Sequence, residues 1–135
     1  MSKLSAQRGS GHIWDRYDVV PVAKPRMTQR DKWARRPAVL RYRAYKDELR
    51  LAKVVLPPFA HVVFVLPMPK SWHENQKIIC DGMSHTNKPD VDNLHKGLLD
   101  ALYGEDCTVW DARITKIWGR TGCIYVGALA PPELP

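Results

Sequence analysis

Pro57-Pro58 and Pro67 bracket the run Phe59 to Leu66, which is apolar at every position but His61. A nearly continuous apolar run of this length is the pattern of a strand covered on both faces, so it is the expected central strand. The other elements have to be laid around it. The chain is long enough for that, since 135 residues fit one compact domain and 44% of them are hydrophobic.

Upstream, Ile13 to Val22 carries Trp14, Tyr17, Val19 and Val20 and reads as a strand ending near Pro21. From Pro37 to Val54, the residues Val39, Tyr42, Tyr45, Leu49 and Ala52 fall three and four apart, which makes one apolar helical stripe. Downstream, residues 67–88 hold Pro67, Pro69 and Gly82 among many polar residues and read as a long functional or mobile loop. A second helix opens at or near Asp92 and closes at Gly104, with Val91, Leu94, Leu98, Ala101 and Leu102 on its buried face. Val109 to Trp118 then alternates, with Trp110, Ala112, Ile114 and Trp118 on one face and Asp111, Arg113 and Thr115 on the other. Lys116 is the exception on the apolar face, and Cys123 to Leu129 forms a last strand. Strands and helices do not alternate regularly, so the expected fold is α+β, a mixed sheet packed with two to three helices. A single domain is expected over residues 13–130, between a flexible start at 1–12 and a tail at 131–135.

The longest strictly apolar run, Val62 to Leu66, is far too short to cross a bilayer, and Met1 to Gly11 lacks the apolar region of a signal peptide. A cytoplasmic location is therefore expected. Cys80, Cys107 and Cys123 are odd in number, far apart and without a CxxC pair, which points to reduced thiols. The net charge of +7 is unevenly spread. Residues 1–53 hold fourteen Lys and Arg against five Asp and Glu, a balance of +9, whereas residues 54–135 hold seven against nine, a balance of −2. A basic half attracts a polyanion through phosphate contacts and counterion release. Lys24, Arg26 and Lys88 are the first candidates for those contacts, with Arg30 and Arg113 next.

The acids gather in one string, Lys88-Pro89-Asp90-Val91-Asp92-Asn93-Leu94-His95-Lys96, followed by Asp100-Ala101-Leu102 and by Asp111 on the next strand. If Asp90 to Asp92 is extended, residues two apart send both carboxylates to one side at the helix start. Lys96, four residues after Asp92, comes round to the same helix face. If the next strand packs beside that helix start, Asp111 adds a third carboxylate. Three oxygen donors suit a hard divalent cation such as Mg²⁺, which can orient a hydrolytic water and neutralise charge on a phosphodiester. Each position also has a purely structural reading: Asp92 as a helix N-cap, Asp90 as a turn residue, Lys96 as a surface charge paired to Asp100, Asp111 as a solvated strand residue. Glu105 and Asp106 read as a helix-ending solvated turn.

This string resembles the RusA-type crossover junction endodeoxyribonucleases, whose pattern is D-x-D-N-L-x-K, then D-A-L, then a strand-borne D-A/S-Q-V/I. Here the elements read Asp90 to Lys96, Asp100 to Leu102, and Asp111-Ala112-Arg113-Ile114. The resemblance implies that Asp90, Asp92 and Asp111 bind the metal and that Lys96 is the essential lysine. It further implies an enzyme that is Mg²⁺-dependent, with Mn²⁺ as the other candidate ion, and that acts as a homodimer. The implied reaction is the resolution of four-way DNA junctions by paired phosphodiester hydrolysis, in recombination and repair. Two positions depart from the pattern: Trp110 stands where members often carry a further acid, and Arg113 replaces the usual Gln.

Other residues fit this reading less well. His73, His85 and His95 show no metalloprotease spacing and read as surface or loop histidines. Trp110, Trp118, Tyr42 and Tyr45 lie on apolar faces and read as core, while Trp33 and Trp72 sit in polar loops as DNA or dimer contacts. Two other classes share the basic half: a non-catalytic DNA-binding module, and a metal-dependent phosphatase of small molecules.

Overall fold

The computed structural model describes residues 2–4, 13–26 and 36–135. Among these, the elements in chain order are β1 (Ser2–Leu4), β2 (Trp14–Tyr17), α1 (Pro37–Leu51), β3 (Phe59–Pro67), α2 (Glu74–Cys80), α3 (Val91–Leu102), a 3-10 turn (Asp106–Thr108), β4 (Asp111–Gly119) and β5 (Cys123–Ala128). The strands form one mixed sheet in the order β1-β2-β5-β3-β4, and the fold is the expected α+β. β3 lies inside it, parallel to β4 from Phe59↔Asp111 to Pro67↔Gly119 and antiparallel to β5 from Ala60↔Ala128 to Val65↔Cys123. A parallel pair needs a long crossover, and residues 68–110, carrying α2 and α3, supply it.

The apolar run of β3 is buried mainly on one face, not on two. Ala60, Val62, Phe64 and Leu66 join Ile124 and Val126 of β5 in the core, together with Tyr42, Tyr45 and Leu49 of α1 and Leu94, Leu98 and Leu99 of α3. On the far face of β3, Phe59 is exposed, and His61 and Val63 are half-buried. That face is partly roofed by Trp14 of β2, whose ring meets His61 edge-on at 5.1 Å. The structure is thus a sheet with α1 and α3 on one side.

Three element boundaries differ from expectation. The strand expected over 13–22 ends at Tyr17, where Val19 N–H turns back to Tyr17 O (2.9 Å), ahead of a proline that has no N–H to give. α1 closes at Leu51, before Pro57, through a left-handed Lys53 (φ 57°) and a bond from Val54 N–H to Leu49 O. The expected loop at 67–88 contains α2, a short helix that buries none of its residues. Without an apolar stripe it leaves no periodic trace in the sequence. At the N-terminus, Ser2–Leu4 pairs with Trp14–Arg16 as an edge strand, so the fold does not begin only after residue 12.

Candidate functional site

The basic segment after β2 lies directly across α3. Lys24 N–H donates to Asn93 O at 3.2 Å, and one turn further on Gly97 has no side chain to obstruct the crossing. A Cβ at Gly97 would stand 2.9 Å from Lys24 N and 3.0 Å from Val22 O. From below, the buried Tyr42 hydroxyl donates to Gly97 O at 2.7 Å. Burial pushes the Tyr42 hydroxyl up to about 12, and the nearby Asp100 carboxylate adds to the effect. One turn beyond Gly97, Asp100 receives two cations. Its Oδ2 accepts from the Lys24 ammonium, and its Oδ1 lies 3.8 Å from Lys96 Nζ. Asp106 backs Lys96 from the other side at 4.0 Å.

A polar groove follows this crossing. One cleft of about 460 Å³ is lined by Lys88, Pro89, Asp90 and Asn93. Asn93 also lines a second cleft, of about 480 Å³, with Lys24, Pro25, Arg26 and Lys96. Lys96 and Asp100 then line a third, of about 340 Å³, that reaches Asp106 and Cys107. Four cations therefore border the groove, with acids at both ends.

Asp90 occupies the N-cap of α3 (φ −72°, ψ 152°), and the helix starts at Val91, one residue before the expected Asp92. The extended run that would align Asp90 with Asp92 therefore stops at Asp90, and only Asp90 lines the cleft beside Lys88. The Asp90 side chain makes no capping bond, and both aspartates are exposed without an ion pair among the described residues. Lys96 faces Asp100, one turn further along the helix, which is the structural pairing that the spacing also allowed, and Asp106 of the following 3-10 turn.

Asp111 is not brought to these acids. β4 turns its even-numbered residues, in register with Ala60, Val62, Phe64 and Leu66, toward the helices. Asp111 and Arg113 thus belong to the opposite face, where Thr115 Oγ1 meets His61 Nε2 at 2.9 Å. About 16 Å of strand also separates Asp111 from Lys116, the residue that touches the approach to α3. Among the described residues, no three His, Cys, Asp or Glu side chains are grouped to hold a metal ion.

A scan of family models matched Endodeoxyribonuclease RusA over residues 17–127. This chain belongs to the RusA family of endodeoxyribonucleases. No curated protein and no solved structure matched it. The matched residues cover the Lys24 segment, α3 and β4 alike.

Some residues of this RusA-family chain escaped sequence reasoning. Gly97 and Asp100 act through their place on α3, and Asp100 was legible as part of the D-A-L element and as a spacing partner of Lys96, but not as a partner of Lys24. Lys116 is the lysine on the apolar face of β4; its ammonium donates to Asn87 O and, at 2.8 Å, to Pro89 O, tying β4 to the residues that enter α3. The odd lysine was the signal.

Several expectations are corrected. His85 lies in a loop, as one of the two expectations had it, but it is buried there, with its ring 4.0 Å from that of Trp118. Burial and the Lys116 charge hold its pKa below the usual value. Trp110 is 62% exposed beside Phe59, not core, because it precedes the first paired residue of β4. Trp72 is half-buried against Trp118 at 4.9 Å, so it braces the loop instead of projecting from it. Lys24 is committed to Asp100, whereas Arg26 and Lys88 are exposed. Arg30 and Trp33 lie outside the described residues.

Proposed function

We propose that this chain is a Mg²⁺-dependent endonuclease that resolves four-way DNA junctions, with Asp90 and Asp92 as its metal carboxylates. The observation that carries the reading is the start of α3, where two exposed carboxylates have neither a capping bond nor an ion pair among the described residues, and Asp90 lines the cleft beside Lys88. Bare acids in a groove bordered by lysine and arginine would repel phosphate unless a cation came between them. Mg²⁺ commonly takes only one or two protein carboxylates and keeps its remaining positions for water and phosphate, so Asp90 and Asp92 suffice in number, and Mn²⁺ fits the same donors. Asp111 matches the family pattern for a third ligand, but its place on the far face of β4 leaves it outside this pair.

When bound, the ion supplies an oriented water and neutralises charge on the phosphodiester. The chain's own residues do the rest. Arg26 and Lys88, both exposed, contact the phosphate backbone on either side of Asn93. Lys96, 59% exposed, presents its ammonium to the same groove and faces the charge that develops there. A homodimer suits the substrate, because an isologous pair presents two such sites to two equivalent strands and nicks each once, in recombination and repair in the cytoplasm.

The test is cleavage of an end-labelled synthetic four-way junction with Mg²⁺ or with EDTA, alongside a linear duplex and a gel-shift control. Paired nicks that need the metal and are absent on the duplex are expected. Junction binding without cutting would make the protein a basic DNA-binding module, and absence of both would contradict the reading altogether.

A further inference from the structure

We propose that Asp100 is a positioning residue that holds the ammonium groups of Lys24 and Lys96 at the place where the basic segment crosses α3. The proposal rests on the junction-nuclease reading above. Each carboxylate oxygen faces a different lysine, Oδ2 toward Lys24 and Oδ1 toward Lys96 at 3.8 Å. Lys24 is thereby held twice: its backbone N–H on Asn93 O, and its side chain two turns further along the same helix face. Gly97, between those two turns, is what allows the backbone to lie so close.

Charge makes the carboxylate necessary. Two ammonium groups drawn to one carboxylate repel each other, and with Arg26 nearby they would spread apart if the acid were neutral. Asp100 offsets one of the positive charges and fixes where the other stands. For binding DNA as such, an anion in a phosphate groove is a disadvantage, so its value lies in alignment rather than affinity. That separation gives the proposal its signature: the neutral variant should bind junctions as tightly or more tightly while cutting more slowly. A displaced catalytic group costs about ten- to a hundredfold in rate.

The experiment measures junction affinity by gel shift in metal-free buffer, single-turnover cleavage with Mg²⁺, and thermal melting for wild type, Asp100→Asn, Asp100→Glu, Lys24→Met and the Lys24→Met/Asp100→Asn double variant. Asp100→Asn is expected to keep its affinity and lose about tenfold or more in cleavage, with Asp100→Glu recovering part of it. The double variant should melt no lower than the lower of its two parents, because both substitutions break one latch. Unchanged cleavage would overturn the proposal, and so would a parallel fall in affinity, cleavage and melting temperature, which marks a merely structural residue. If the wild type cuts no junction, the nuclease reading fails by itself, and additive melting losses in the double variant would then overturn the latch as well.

Discussion

Replacing Gly97 by alanine sets two effects of opposite sign against each other. In an ordinary helix interior the change gains about 1 kcal/mol, because glycine loses more backbone freedom on folding. Here the new Cβ meets Lys24 N at 2.9 Å, Val22 O at 3.0 Å and Ala23 C at 3.5 Å. All three are backbone atoms, so no side-chain rotation relieves the contact and the whole segment has to lift. Overpacking of this kind costs about 1–3 kcal/mol, and losing the Lys24 N–H to Asn93 O bond costs about 1 kcal/mol more. Steric loss therefore wins by roughly 2 kcal/mol, which for a domain of this size lowers Tm by about 6–10 °C. Thermal unfolding followed by circular dichroism reads it directly. A rise in Tm, as at a glycine with open space around it, would show that the segment is not seated on α3 as described.

Neutralising Arg26 or Lys88 should weaken junction binding and reduce the slope of log affinity against log salt by about 1 each, whereas Arg113→Ala, on the far sheet face, should leave that slope unchanged. Lys116→Met removes charged donors from the carbonyls of Asn87 and Pro89, so a loss of about 1.5–3 kcal/mol in unfolding free energy is expected, with slower cutting because the approach to Asp90 loosens. An unchanged denaturation midpoint would refute that role. The folded-state pKa of His85 lies below its unfolded value of about 6.5, so the unfolded chain binds the extra proton first. Stability should thus be intact above about pH 6.5 and decline as the pH falls below it. The decline should shrink in His85→Gln, and melting curves at neutral and mildly acidic pH compare the two.

Much of this architecture is legible from residue spacing alone. The β3 run is found as a strand and the Val39-Tyr42-Tyr45-Leu49 stripe as the buried face of α1, because each is a strong local pattern, and β4 is found as a strand although its burial does not alternate. What was lost is tertiary. α2 has no apolar stripe to reveal it, and the boundary at Asp90 depends on one residue of backbone conformation. The placement of Asp111 is more instructive. The same alternation that put Ala112 and Ile114 on an apolar face also implies that this face meets the helices, which turns Asp111 away from α3. The Lys24 contact of Asp100 and the role of Gly97 emerge only once the basic segment is seen lying across α3, since neither residue type announces a crossing.

Whether the carboxylates at the start of α3 hold the metal is decided by single-turnover cleavage of a four-way junction by wild type and Asp90→Asn, paired with gel shifts. Mg²⁺-dependent cutting by wild type, none by Asp90→Asn, and junction binding by both are expected. Full cutting by Asp90→Asn, or cutting by wild type that persists in EDTA, would contradict that role.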